Sequence, residues 1–280
     1  MRKLLLALAA GLVLSAAAGA QEIWQTLPEP PAMPAARDSG MAPVNDIQMH
    51  YAVYGEGAPV LLIHGGLGHA DVWGFQVPAL AESHQVIVAD SRGHGRSTRS
   101  DQPFGYALMA DDYLALFDHL GIDQVALIGW SDGGIIGLDI AIRHPERLRG
   151  LFAFAANYTP EGVKASVADD PTFNAYVARA GKDYARLSPT PDEFDDFVGQ
   201  ISQMWATEPN YSKDQLRAIA VPTVIFAGEH DEAIEPAHTA EMAALIPHAE
   251  LVIMKDASHF AMWQQPDAFN ATVLEFLDGR

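Results

Sequence analysis

The residues of this chain best suited to catalysis are Ser131, Asp231 and His259, which follow one another in that order. A serine hydroxyl becomes a strong nucleophile only when a base removes its proton. The base in turn needs an acid that fixes its tautomer and stabilises its cation. We therefore interpret Ser131 as a nucleophile, His259 as its base and Asp231 as the acid that orients the base.

Ser131 lies in the glycine-flanked sequence Gly129-Trp130-Ser131-Asp132-Gly133. The apolar run at 125–128 predicts a strand before this sequence, and residues 133–144 predict a helix after it. A turn this sharp strains the backbone of the serine, and glycine on both sides removes the Cβ atoms that would clash. The pattern predicts an exposed hydroxyl at the positive end of a helix.

Asp231 and His259 each follow a predicted apolar strand, at 223–227 and 251–254. The carboxyl ends of parallel strands meet at one edge of a sheet. We therefore expect both side chains to converge with Ser131 at that edge.

Short apolar segments alternate with helical segments from Ile47 onward, which predicts an α/β fold with a doubly wound, mostly parallel sheet. This core is assigned to residues 45–157 and 218–280. Residues 21–44 are rich in proline and alanine and predict an extended N-terminal arm with little regular structure.

The strand pattern stops between residues 158 and 217, where prolines separate amphipathic segments. This predicts a small helical cap inserted after the sixth strand. We expect two or three of its large apolar side chains to face a substrate and the others to pack the cap onto the core. The candidates are Phe173, Tyr176, Tyr184, Phe194, Phe197, Met204 and Trp205.

The first twenty residues predict a cleaved signal peptide and a periplasmic or secreted protein. Arg2 and Lys3 are followed by an apolar stretch at 4–18 and by the small residues Ala18-Gly19-Ala20. No later segment of the sequence is long and apolar enough to predict a membrane span.

The chain carries a formal net charge of −19 and contains no cysteine. An acidic surface repels nucleic acid and anionic lipid, so neither is an expected partner. The absence of cysteine excludes disulfides, thiol catalysis and cysteine-based zinc sites. His69 and Asp71 lie near His64 but lack metal-ligand spacing, so no metal or other cofactor is expected. A small-molecule ester is the expected partner, for a monomer or a homodimer.

From Ile47 to the C-terminus the chain resembles the α/β-hydrolase fold superfamily. The resemblance rests on the serine turn, on His259 and on three further motifs. These are His64-Gly65-Gly66 after one strand, Asp90-Ser91-Arg92-Gly93-His94-Gly95-Arg96-Ser97 after the next, and Gly228-Glu229-His230-Asp231. It implies a carboxylesterase-like serine hydrolase that works through an acyl-enzyme.

The resemblance also implies an oxyanion hole formed by the backbone N–H groups of Gly66 and Asp132, with Leu67 as the weaker candidate donor. His64 is expected to brace this loop through hydrogen bonds. The motif at 90–97 is expected to be structural, with Asp90 and Arg92 paired locally.

Asp132 places a carboxylate beside the nucleophile. Together with Asn157-Tyr158, the serine turn resembles the valacyclovir-hydrolase-like (biphenyl-hydrolase-like) branch, whose members cleave α-amino-acid esters and hold the amine with an acidic residue after the serine. This implies that Asp132 binds substrate, and Trp130 and Leu67 are further candidates. Stabilisation of the helix N-terminus is the alternative for Asp132, and packing is the alternative for Trp130.

Several other activities fit the same motifs. Among enzymes, the alternatives are a proline-iminopeptidase-like aminopeptidase, a lactonase, a C–C bond hydrolase and a cofactor-free perhydrolase. The aminopeptidase is weakened because Leu67 stands where that family places proline. A non-catalytic protein that uses the pocket to bind a ligand is the alternative from another class. Serine at position 131 argues against epoxide hydrolase and haloalkane dehalogenase chemistry, which uses a carboxylate there.

Overall fold

An eight-stranded sheet forms the centre of the fold in the computed structural model, which describes residues 21–279. The strands are β1 (Asp38–Val44), β2 (Ile47–Tyr54), β3 (Ala58–Ile63), β4 (His84–Ala89), β5 (Val125–Trp130), β6 (Leu148–Phe154), β7 (Thr223–Gly228) and β8 (Glu250–Met254). They lie in the order β1-β2-β4-β3-β5-β6-β7-β8. Strand β2 pairs antiparallel with β1 and β4, and the other pairs are parallel. The predicted α/β fold class is confirmed.

Helices cover both faces of the sheet. They are α1 (Gln76–Leu80), α2 (Tyr106–Leu120), α3 (Asp132–Arg143), α4 (Pro171–Leu187), α5 (Phe194–Thr207), α6 (Lys213–Arg217), α7 (Pro236–Leu245), α8 (Ala261–Gln264) and α9 (Pro266–Asp278). Along β3, Leu61 and Ile63 belong to one apolar cluster, whereas Val60 and Leu62 belong to another. Because successive strand residues point to opposite faces, this strand is buried on both sides.

The chain leaves the sheet after β6 and returns to it at β7. Between them lie α4, α5 and α6, which confirms the helical cap after the sixth strand. Helix α4 begins where the Asp170 carboxylate accepts the backbone N–H groups of Thr172 and Phe173. Within residues 21–279, no helix is long and apolar enough to cross a membrane.

The prediction of an irregular arm over residues 21–44 is wrong at its C-terminal end, because 38–44 form β1. This strand lies at the edge of the sheet, where Gly40 and Pro43 are tolerated because one side of the strand makes no ladder bonds. We call residues 21–37 the N-terminal arm. Its regular structure is one 3-10 turn, Ile23–Gln25. The signal peptide predicted at 1–20 lies outside the described residues.

Candidate active site

Ser131 occupies the turn between β5 and α3 with φ 53° and ψ −116°. The two flanking glycines are required by crowding. A Cβ on Gly129 would lie 2.2 Å from the carbonyl oxygen of Gly133, and one on Gly133 would lie 2.2 Å from that of Ile63. The sequence therefore folds into the strained turn that the glycine pattern predicted.

Asp231 and His259 follow β7 and β8 and form a buried pair. His259 Nδ1 lies 3.0 and 3.2 Å from the two carboxylate oxygens of Asp231. Asp231 Oδ1 also accepts the backbone N–H groups of Ala233 and Ile234 at 2.8 and 2.9 Å. The carboxylate is thus fixed in position, and it fixes the imidazole.

Burial and charge oppose each other in this pair. Burial alone would lower the pKa of His259, but the adjacent Asp231 carboxylate outweighs it and the pKa is raised. Burial alone would raise the pKa of Asp231, but the charge and hydrogen bond of His259 lower it. The pair is therefore suited to holding an imidazolium against a carboxylate.

A cavity of about 360 Å³ opens between the sheet edge and the cap, and Ser131, Asp132 and His259 lie on its wall. The rest of the lining is largely apolar. It comprises Tyr106, Asn157, Val163, Val167, Ala168, Phe173, Ser202, Trp205, Ala206, Glu208, Ala233 and Ile234. Phe173 and Trp205 are the two candidate cap aromatics that face this cavity, in line with the expectation that few of them would.

Gly66 lies beside Asp132 and beneath the cap. A Cβ on Gly66 would lie 2.7 Å from Asp132 Oδ2 and 2.3 Å from Cζ2 of Trp205. The Tyr176 hydroxyl, on α4, donates to the Gly66 carbonyl oxygen at 2.7 Å. Two cap side chains therefore contact the loop that carries the predicted oxyanion donor: Trp205 packs against it, and Tyr176 donates a hydrogen bond to it.

The imidazole of His64 braces the same loop, as expected from the sequence. Its Nε2 accepts the Ser91 N–H at 2.9 Å, so its Nδ1 carries the proton and donates to the Gly65 carbonyl oxygen at 2.7 Å. Burial lowers the pKa of His64 to about 4, which keeps the ring neutral at physiological pH.

Asp132 lines the cavity and is 6% exposed. It accepts hydrogen bonds from the Tyr106 hydroxyl at 2.9 Å and from Trp205 Nε1 at 3.0 Å. Burial raises its pKa to about 6 in spite of these donors. Glu208 also lines the cavity, and its Oε2 accepts the Tyr106 N–H at 2.9 Å. Sequence reasoning missed Tyr106 and Glu208, because no motif or spacing connects them with Asp132.

Neither Trp130 nor Leu67 lines this cavity, so their contact with substrate stays a prediction. Trp130 is 1% exposed and donates from Nε1 to the His259 carbonyl oxygen at 2.9 Å. Leu67 has a φ of 62° and lines a separate cavity beneath the N-terminal arm. Trp130 therefore holds the backbone at His259, and Leu67 lies near the N-terminal arm.

The predicted pair of Asp90 with Arg92 is not formed. The Asp90 carboxylate instead accepts the N–H groups of Ala70 and Arg96. Arg92 donates from Nε and Nη2 to Asp112, at 2.6 and 2.8 Å. Both side chains fix loops of the core, so the structural role predicted for this motif holds with different partners.

Within residues 21–279, three potential metal ligands come together outside the cavity. The ligand atoms of Glu229, His230 and Asp256 lie within 4.8 Å of one another, and both carboxylates are exposed. Exposed acidic groups of this kind are common without a bound ion, so the cluster assigns no metal to the protein.

The model of the family described as the α/β hydrolase fold matches residues 58–196 and 196–266. With the sheet, the cap and the serine turn, this match establishes that the chain belongs to the α/β hydrolase fold family. It is a hydrolase of that family.

Individual relatives agree with this assignment. The serine hydrolase BPHL of Mus musculus is 30% identical over 254 residues, which cover 85% of this chain and 86% of that protein. Among solved structures, Est816, described as an N-acyl homoserine lactone degrading enzyme, is 29% identical with a TM-score of 0.67, and the match covers 83% of this chain and 98% of that one. The enol-lactonase of Burkholderia xenovorans LB400 is 26% identical with a TM-score of 0.69, and the match covers 85% of this chain and 100% of that one.

Proposed function

We propose that this protein is an exported serine hydrolase that cleaves small carboxylic esters through an acyl-enzyme on Ser131. The observation that carries the proposal is the buried Asp231–His259 hydrogen bond at 3.0 Å, beside a cavity whose wall also includes Ser131. A base that is oriented in this way and shares a cavity with a serine on a strained turn is the arrangement that acyl transfer requires.

The reaction begins with a proton transfer. Because Nδ1 of His259 donates to Asp231, Nε2 is free to take the proton of the Ser131 hydroxyl as Oγ attacks the ester carbonyl carbon. The backbone N–H groups of Gly66 and Asp132 stabilise the resulting oxyanion. The alcohol then leaves with the proton from His259, and water, activated by the same imidazole, hydrolyses the acyl-enzyme.

A fluorophosphonate probe tests this mechanism. We expect the folded protein to form one covalent adduct, located on Ser131 by peptide mass spectrometry, and to hydrolyse p-nitrophenyl acetate. Ser131→Ala should lose both properties, whereas Ser166→Ala, at an exposed serine of the cap, should keep them. A Ser131→Ala protein that still hydrolyses the ester would refute the nucleophile. A wild-type protein without turnover would favour the ligand-binding alternative.

The lining of the cavity suggests which esters fit. Its volume of about 360 Å³ and its mostly apolar wall suit a small acyl or alcohol group. The Asp132 carboxylate adds a site for a cation, such as the ammonium group of an α-amino-acid ester. The likeness to BPHL and the acidic residue after the serine support this narrower substrate class.

Lactones are a second candidate substrate class, since a lactone is a cyclic ester and would open by the same steps. The lactone-degrading Est816 and the enol-lactonase, at 29% and 26% identity, favour it. A panel of short esters, amino-acid esters and lactones, compared by kcat/KM, decides between the two classes. The proposal of open-chain esters requires that kcat/KM for at least one ester exceed kcat/KM for every lactone.

Export is proposed on the sequence of residues 1–20. Cleavage after Ala20 would remove Arg2 and Lys3 and no acidic residue, so the mature chain would be more acidic still. Expression in a bacterial host followed by cell fractionation tests this. We expect a periplasmic or extracellular protein whose intact mass corresponds to a chain that begins at Gln21. A cytoplasmic protein of full-length mass would refute export.

A further inference from the structure

The loop that carries His259 is hydrogen-bonded to the N-terminal arm through one side chain, Gln264. This glutamine, at the end of α8, is 5% exposed. Its Oε1 accepts the N–H of Ser258 at 2.8 Å. Its Nε2 lies 2.9 Å from Ser258 Oγ, 2.9 Å from the carbonyl oxygen of Thr26 and 3.1 Å from that of Trp24. The residue before His259 is thus linked to arm carbonyls by a single amide.

The arm also reaches the loop that carries the acid. The ring of Trp24 stacks on that of His230, with centroids 4.3 Å apart and an interplanar angle of 22°. His230 directly precedes Asp231. Both members of the Asp231–His259 pair therefore follow a residue that is in contact with the arm, either directly or through Gln264.

The arm is held in place from the cap. Arg179 of α4 donates to the carbonyl oxygens of Leu27 and Pro28, and its guanidinium lies 5.3 Å from the Trp263 ring centroid. Further along, a Cβ on Gly74 would lie 2.1 Å from the Pro31 carbonyl oxygen, so the arm passes directly over that glycine. The arm is thus fixed to both cap and core.

We propose that Gln264 is a positioning residue for His259 and that residues 21–26 of the arm act through it. This inference rests on the proposed serine hydrolase function. Without the carbonyls of Trp24 and Thr26, Nε2 of Gln264 loses two of its three acceptors, and the amide is then tied to Ser258 but no longer anchored to the arm. Displacement of a catalytic group by about 1 Å can lower a rate on the order of 100-fold.

Contribution to folding stability alone is the competing explanation, and rate measurements separate the two. The reference protein is the chain from Gln21 onward. One variant begins at Leu27, a second carries Gln264→Glu, and a third combines both changes. A glutamate keeps the acceptor for the Ser258 N–H but cannot donate to the arm carbonyls or to Ser258 Oγ. Gln124→Glu is the matched control, because its exposed amide donates only to the Glu146 carbonyl oxygen.

Two measurements are made on protein shown to be folded by circular dichroism. They are the second-order rate constant for fluorophosphonate labelling of Ser131 and the values of kcat and KM for p-nitrophenyl acetate. We expect truncation and Gln264→Glu each to lower the labelling rate and kcat on the order of tenfold, with KM nearly unchanged. In the combined variant, the labelling rate and kcat should fall no further than in the more impaired of the two single variants, because both changes break the same link between the arm and Gln264.

Each outcome supports or overturns the proposal. A truncated protein that labels at the reference rate overturns it. A combined variant whose fold-loss in labelling rate equals the product of the two single losses also overturns it. If the truncated chain does not fold, Gln264→Glu decides, since it retains residues 21–26, and labelling at the reference rate then refutes the positioning role. Failure of the reference protein itself to label would instead refute the serine hydrolase function.

Discussion

At the scale of single residues, the Asp231 carboxylate controls both the direction and the strength of the base. It accepts the hydrogen bond from Nδ1–H of His259, which leaves Nε2 as the acceptor on the cavity side. It is itself fixed by the N–H groups of Ala233 and Ile234, so it cannot rotate away without leaving these donors unpaired. The tautomer and the basicity of His259 therefore both depend on one carboxylate.

Asp231→Asn should remove both the control of the His259 tautomer and the rise in the His259 pKa. The amide can donate to Nδ1 and favour the wrong tautomer, so we expect kcat to fall about 10³- to 10⁴-fold. In the wild type, kcat/KM should rise with pH through the pKa of His259, which lies above the usual value. In the variant, this pH-dependent rise in kcat/KM should move to lower pH, since burial lowers the imidazole pKa and the Asp231 charge that chiefly opposes burial is gone. The profile of kcat/KM from pH 4.5 to 9 measures both effects.

The control for this substitution is Asp118→Asn, at an exposed carboxylate that pairs with Arg147. It should retain the wild-type profile. An Asp231→Asn enzyme whose acid limb stays at the wild-type pH would mean that another group governs the titration.

Asp132 permits a test of substrate class through one contact, between its carboxylate and the ammonium group of a substrate. Its pKa of about 6 leaves the carboxylate ionised at pH 8, where it can bind an ammonium group. Asp132→Asn keeps the backbone N–H and an acceptor for Tyr106 and Trp205 but removes the charge. We expect kcat/KM for α-amino-acid esters to fall at least tenfold more than for the matching N-acyl esters. Equal loss on both series would show that Asp132 serves the helix and the cap rather than the substrate.

At the scale of elements, the cap is coupled to the nucleophile turn by α5. Trp205 donates to Asp132, the first residue of α3, and its ring lies against Gly66. One cap side chain thus contacts both residues proposed to supply oxyanion donors. Movement of α5 would therefore reach the oxyanion site directly.

Gly66→Ala tests this packing. The added methyl group would lie 2.3 Å from the Trp205 ring, so the loop or α5 must shift. We expect kcat for ester hydrolysis to fall on the order of 100-fold, as for loss of one oxyanion donor.

Gly199→Ala in α5 is the matched control. A Cβ there has nothing within 4 Å, and alanine stabilises a helix by about 1 kcal/mol relative to glycine. Activity should stay unchanged and the melting temperature should rise slightly. A Gly66→Ala enzyme with wild-type kcat would show that the loop adapts without cost to the oxyanion site.

The elements themselves show what sequence can and cannot predict. Strands β3 and β5 could be predicted because both of their faces are buried, so their sequences are continuous apolar runs. Strand β1 was missed because an edge strand with Gly40 and Pro43 carries no such run. The link from Trp205 to Asp132 spans residues that are distant in sequence, and only the docking of the cap brings them together.

At the scale of the whole molecule, stability depends on a core without disulfides and on buried imidazoles that stay neutral. Burial lowers the pKa of His64 to about 4 and that of His94 to about 3. Between these values and the ordinary 6.5, the unfolded chain binds protons that the folded chain does not. The free energy of unfolding contributed by these groups therefore falls as the pH falls. Asp132, whose pKa is raised to about 6, acts in the opposite sense.

A histidine substitution isolates this contribution. In His94→Gln the side chain can still donate to the Arg92 carbonyl oxygen, as Nδ1 of His94 does at 2.9 Å, but it no longer titrates. Between pH 6.5 and 4, the wild type should lose about 3 kcal/mol more unfolding free energy than this variant, because one proton binds to the unfolded state alone over that interval. Urea titrations at several pH values measure the difference. His144→Gln, at a surface position, should follow the wild type. Parallel pH dependences for wild type and His94→Gln would mean that His94 accepts its proton without unfolding, which its full burial opposes.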